Sequence, residues 1–138
     1  MLQEIDHIGI VVEDIKEAIK VYTKLGFNII HEEILSERGI KVAFLSINRG
    51  NSTLIELIEP IDKNDLTNPV VRFLKNRGQG LHHVAVRVSN IKKIIDELVK
   101  HGFEVIDKEP RKGARGYLVS FIHPKSFFGV LIELVEAS

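Results

Sequence analysis

Apolar residues along the chain follow two rhythms in turn. Over residues 5–12 they alternate, with Ile8, Ile10 and Val12 on one face and His7, Gly9 and Val11 on the other, the period of a strand with one apolar face. From residue 15 the period lengthens. Ile15, Ala18, Ile19, Tyr22 and Leu25 recur at helical spacing behind Asp14, a side chain suited to accept from free N–H groups at a helix start. Gly26 stands where a helix ends in the left-handed conformation, so a helix is predicted over 14–25. Strand candidates follow at 27–33, 41–47 and 53–59, with turns at Gly39 and at Arg49-Gly50-Asn51.

The same grammar returns further along. A shift of 76 residues lays DHIGIVVEDIKEAIKVYTKLGF on HHVAVRVSNIKKIIDELVKHGF without a gap: His7 falls on His83, Asp14 on Asn90, and Gly26-Phe27 on Gly102-Phe103. Paired chemical residues at one offset mark an internal duplication. The second copy therefore predicts a strand over 82–88, a helix over 90–101, and strands at 103–108, 116–122 and 129–135. Thr67-Asn68-Pro69 opens a short linker helix that Gly78 closes. The expected fold class is α+β: two tandem βαβββ modules, about 3–64 and 80–136 with a linker helix about 67–78, forming one curved eight-stranded sheet in a single domain, 1–138.

Composition narrows the function. With 19 basic and 19 acidic side chains the net charge is zero, unlike a nucleic-acid binder. There is no cysteine, which excludes disulfides, thiolate chemistry and Cys-type zinc sites. No apolar run approaches the ~18–20 residues that cross a bilayer, and the N-terminus has no basic start and apolar core of a signal peptide, so a cytoplasmic location is expected.

Alternation also sorts the chemistry. With Ile8, Ile10 and Val12 towards the helix, His7 faces the concave side of the sheet; with Val84, Val86 and Val88 towards the helix, so does His83, while His82 points away. The last strand of each copy carries one carboxylate in an apolar run, Glu56 in LIELI and Glu133 in VLIEL, which is costly to bury without a partner. His7 to Glu56 is 49 residues and His83 to Glu133 is 50. One such His or Glu would be read as a satisfied core residue or an edge charge. Four at duplicated spacing are read as ligands of one divalent metal, an N₂O₂ set that suits Co²⁺, Mn²⁺, Ni²⁺, Fe²⁺ or Zn²⁺.

On these residues the chain resembles the vicinal-oxygen-chelate, or glyoxalase-fold, superfamily, and more narrowly the methylmalonyl-CoA epimerases. The resemblance spans about residues 3–135 and rests on DHIGI around His7, Glu37-Arg38-Gly39, LIELIEP around Glu56, GLHHVAVRV around His83, Gly113-Ala114-Arg115-Gly116, and FIHPKSFFGVLIEL running into Glu133. It implies a metal-dependent interconversion of (2R)- and (2S)-methylmalonyl-CoA by proton transfer at C2, a divalent ion with Co²⁺ first and Mn²⁺, Ni²⁺ or Zn²⁺ behind, and a homodimer. It also implies that Glu133 serves as base as well as ligand. Some relatives carry a second Glu three residues after the glycine equivalent to Gly39; here that position is Val42, leaving Glu56 and Glu37 as candidates for the other proton transfer.

Lys125 is a candidate for the substrate carboxylate or a CoA phosphate, and the Arg111, Lys112 and Arg115 loop for CoA phosphates, against the plain reading of solvated loop charges. Tyr117, Phe127 and Phe128 are expected in the core before the pocket. The same ligand set would serve a glyoxalase-type lyase, the leading alternative. An extradiol dioxygenase would not use Glu56 as a fourth ligand, and a metal-free binding module of this fold would not need both glutamates.

Overall fold

The computed structural model describes all 138 residues. Eight strands and three α-helices follow in the order β1 (Leu2–Val11), α1 (Ile15–Leu25), β2 (Asn28–Leu35), β3 (Ile40–Ser46), β4 (Leu54–Pro60), α2 (Pro69–Arg77), β5 (Gly80–Val88), α3 (Ile91–Lys100), β6 (Arg111–Lys112), β7 (Leu118–Ile122) and β8 (Ile132–Glu136). The strands belong to one sheet in the order β2-β3-β4-β1-β5-β8-β7-β6, as an α+β fold of two βαβββ copies requires. Two compact units divide the chain: Ile8–His82, and Met1–His7 together with His83–Ser138. Strand β1 contributes to both.

In the unit Ile8–His82, β2, β3 and β4 form an antiparallel meander, with Phe44 opposite Glu56 and Val42 opposite Ile58. Alternation sends Ala43, Leu45, Ile55 and Leu57 to the face covered by α1, where they pack with Val12, Ile15, Ala18, Ile19 and Tyr22. Glu56 therefore lies on the other face. The Asp14 side chain accepts from the Lys16 and Glu17 N–H groups, and Gly26 ends the helix at φ 125°. Asn68 caps α2, as its position before Pro69 predicts.

In the other unit, β8 runs parallel to β5, with Glu133 beside Ala85, and antiparallel to β7, with Glu133 beside Phe121. Val86, Val88, Ile122, Ile132 and Leu134 pack under α3 with Ile91, Ile94 and Ile95. Ala85, Val119 and Val135 form a smaller cluster with Tyr117. Phe127 packs with Phe103 as a core residue would, whereas Phe128 is fully exposed.

The strand predicted over 103–108 is the main departure. That stretch makes only an isolated bridge, Val105 to Ile122, and strand structure resumes at the two residues of β6. The Asp107 carboxylate takes the Phe121 N–H at 2.8 Å, a donor a ladder would have used, while the Ile106 and Asp107 N–H groups both turn to the Phe121 carbonyl. Pro110 then removes a further donor.

One device recurs that the sequence pattern did not suggest. The Glu59 carboxylate on β4 accepts the Ile15 N–H at 2.8 Å, and the Glu136 carboxylate on β8 accepts the Ile91 N–H at 2.6 Å. Each helix start is thus tied to the last strand of its own copy, with negative charge at the positive end of the helix.

Candidate metal centre

His7 reaches the site from β1, His83 from β5 and Glu133 from β8, and none is more than 5% exposed. Their donor atoms form a triangle. His7 Nε2 is 3.1 Å from His83 Nε2, His7 Nε2 is 3.1 Å from Glu133 Oε1, and His83 Nε2 is 3.1 Å from Glu133 Oε1. The two imidazoles meet edge to face at 84°, and Phe121 packs edge-on against His83. Glu56, on β4 of the other unit, is also buried.

This donor set fits a divalent cation. Glu133 Oε1 is enclosed without a hydrogen bond of normal geometry, an expensive state for a carboxylate oxygen unless a cation meets it. Ligands 3.1 Å apart correspond to bonds of about 1.9 Å at tetrahedral angles or about 2.2 Å at octahedral ones, bracketing the usual lengths to imidazole and carboxylate. Burial pushes the Glu133 carboxyl towards its neutral form, but the His7 and His83 imidazoles outweigh that and hold it well below the usual carboxylate range.

Behind His7 stands a group that the sequence reading passed over. The Asp6 carboxylate is fully buried and lies 2.6 Å from His7 Nδ1. Arg87 donates to Asp6 Oδ1 from Nη2 at 2.6 Å and from Nε at 3.0 Å, and Arg115 donates to Oδ2 from Nη2 at 2.5 Å. Arg87 also reaches Glu4 at 3.1 Å, and the Arg115 guanidinium stacks over Tyr117 at 4.2 Å. Burial raises the Asp6 pKa, yet hydrogen bonds from His7 and Arg115, together with the Arg115 charge, win and keep it well below the ordinary value. A carboxylate directly before a candidate ligand histidine was the available signal.

Residues 6–121 match the Glyoxalase/Bleomycin resistance protein/Dioxygenase superfamily. The chain is 36% identical over 138 residues to the mitochondrial methylmalonyl-CoA epimerase of Homo sapiens, covering 99% of this chain and 75% of that protein. The chain belongs to this superfamily and, within it, to the methylmalonyl-CoA epimerase family. Solved structures of the family agree in fold. Methylmalonyl-CoA epimerase from Mycobacterium tuberculosis superposes with a TM-score of 0.91 at 36% identity, covering 99% of this chain and 89% of that one. A variant of the Streptomyces coelicolor epimerase in complex with 2-nitronate-propionyl-CoA superposes with a TM-score of 0.91 at 32% identity, covering 100% and 99%.

The remaining candidates of this epimerase-family chain lie elsewhere. Glu37 is exposed on the 3-10 turn Ser36–Arg38. Lys125 is exposed on the 3-10 turn Pro124–Phe127, its backbone N–H held by His123 Nδ1 at 2.9 Å. Arg115 is largely buried, with its charge directed at Asp6. Val42 is buried on β3, and His82 packs its ring against Phe73, 4.9 Å between centroids.

Proposed function

We propose that this protein is a metal-dependent epimerase that interconverts (2R)- and (2S)-methylmalonyl-CoA. The observation that carries the reading is the buried convergence of His7, His83 and Glu133 on one point, in a chain whose fold matches a methylmalonyl-CoA epimerase along its whole length. His7, Glu56, His83 and Glu133 would hold the ion, cobalt first among Co²⁺, Mn²⁺, Ni²⁺ and Zn²⁺. When bound, that ion supplies a Lewis acid for the negative charge that reaches the thioester oxygen as C2 loses its proton.

The side chains do the rest. Glu133 takes the C2 proton on one face of the substrate, and a second acid, Glu56 or Glu37, returns one on the other face. The departing proton ends on a carboxylate and the C–H electron pair moves into the C2–C1 bond, so the reaction needs no redox partner. Exclusion of water around the buried ligands strengthens every charge interaction at the site. Lys125, exposed and without an ion pair, is the cation we assign to the CoA phosphates, whereas Arg115 is committed to Asp6. The substrate is an acyl-CoA, and a homodimer is the expected assembly.

The test is NMR of methylmalonyl-CoA in deuterated solvent. Metal-loaded protein should exchange the C2 proton, and EDTA should stop it. No exchange above background, with turnover of a thiol hemithioacetal instead, would replace this reading with a glyoxalase-type lyase.

A further inference from the structure

We propose that Asp6 is a positioning residue for His7: it fixes the imidazole as the Nδ1–H tautomer, so that Nε2 presents its lone pair to the metal centre, and Arg87 and Arg115 hold Asp6 in place. The inference rests on the metal-binding reading above. It starts from the 2.6 Å contact between Asp6 Oδ2 and His7 Nδ1. With two guanidinium groups donating three hydrogen bonds to it, the Asp6 carboxylate is an acceptor, and the hydrogen in the His7 contact must come from Nδ1. A neutral imidazole has one N–H, so Nε2 is left as a lone pair, pointing to the corner shared with His83 and Glu133.

The arrangement also settles the ring's rotation. A histidine held only by its ligand bond can turn about its side-chain torsions, whereas a contact at Nδ1 and a ligand at Nε2 fix both ends of the ring. Arg87 from β5 and Arg115 from the Ala114–Gly116 turn approach Asp6 on different oxygens, which fixes the carboxylate plane in turn. Arg115 is held for this by a left-handed backbone, φ 60°, and by stacking on Tyr117. In the duplicated strand the matching position, 82, is a histidine packed against Phe73. Behind His7 stands a carboxylate that two arginines hold, and behind His83 the chain carries an imidazole instead.

The experiment reads the tautomer directly, by long-range ¹H–¹⁵N NMR of the histidine rings in metal-free protein at pH 8, with His7 assigned from the spectrum of a His7→Asn variant. Wild type should show His7 protonated on Nδ1. Asp6→Ala should shift the population towards the Nε2–H form and weaken Co²⁺ binding 10–100-fold in a competition with a chelator. Arg87→Gln separates positioning from mere charge balance: it should lower thermal stability while Co²⁺ affinity changes by less than tenfold. Wild-type His7 carrying its proton on Nε2 would overturn the proposal even if the Asp6 variant failed to fold. So would an Asp6→Ala protein that keeps both the Nδ1–H tautomer and its Co²⁺ affinity. Failure of wild type to bind Co²⁺ would instead fail the metal reading itself, and the two failures are thus distinguishable.

Discussion

The two copies of the module differ most where they look most alike in sequence. Both begin with a strand that carries a candidate ligand histidine, yet His7 is backed by an ionised carboxylate and two arginines, while the residue before His83 is a histidine that packs on Phe73. Both follow their helix with three predicted strands, yet the first copy builds a full meander of eight, seven and seven residues and the second reduces the first of its three to a bridge and the two residues of β6. What both copies retain is the histidine, the buried glutamate and the tie from last strand to helix start. Duplication thus preserved the groups that hold the site and each helix, and left the outer strands and the support behind each ligand free to diverge.

The comparison breaks most simply at the ligands. Removing either imidazole, by His7→Ala or His83→Ala, should abolish stoichiometric metal and lower C2 exchange by roughly a thousandfold or more, the scale of losing a principal charge-stabilising group. Elemental analysis of the purified variants alongside exchange rates tests this. Tight stoichiometric metal in the double variant would remove these residues from the centre.

Next come the two buried glutamates. Glu133→Gln keeps the shape but not the proton acceptor, and should lower kcat by about 10²–10⁴ with a much smaller change in KM. If Glu56 serves the opposite face, Glu56→Gln should slow exchange from one epimer more than from the other. Equal slowing of both epimers by Glu56→Gln would confine Glu56 to metal binding.

The support behind His7 gives a smaller effect, and one that depends on pH. Because the Asp6 pKa is depressed in the fold, its contribution to stability is fully present above the ordinary value of 3.8 and is lost as pH falls through the folded value. Urea midpoints of wild type should therefore fall between pH 5 and pH 3 more steeply than those of Asp6→Asn. Arg87→Gln should cost about 1–3 kcal/mol at neutral pH, the worth of hydrogen bonds to a charged partner.

The smallest effect concerns the helix starts. Glu59→Ala and Glu136→Ala should each cost about 0.5–2 kcal/mol in thermal or urea unfolding. Glu136 should matter more. Asp14 already accepts two N–H groups at the start of α1, whereas Asn90, in a left-handed conformation, accepts one at 3.3 Å at the start of α3. A larger loss from Glu59→Ala would show that the side-chain caps do not set the order.

Much of this was legible in the sequence because it depends on local periods. Strand alternation selects His83 over His82, Asp14 and Asn90 mark helix starts, and one offset pairs His7 with His83. The strand at 103–108 was misread because Val105 and Ile106 give the apolar signal of a strand, while the deciding interaction is the Asp107 side chain taking a backbone donor from Phe121. Asp6 was missed for a different reason. Alternation sends neighbouring side chains to opposite faces, whereas here they meet at 2.6 Å, and the partners that make Asp6 intelligible lie 81 and 109 residues away. Glu59 and Glu136 reach helix starts 44 and 45 residues back, beyond any local pattern.

Those long ties have a bearing on the chain during its synthesis. Ile15 receives the Glu59 carboxylate within its own copy, so the unit Ile8–His82 can close while the rest is still being made. Met1–His7 belongs with His83–Ser138, which is made after the unit Ile8–His82. From residue 7 to residue 133 is 126 residues, which at ribosomal speeds is roughly 6–25 s. For that interval His7 has yet to meet the carboxylate that shares its site. A segment made before the unit Ile8–His82 thus finds its place only after that unit has been made.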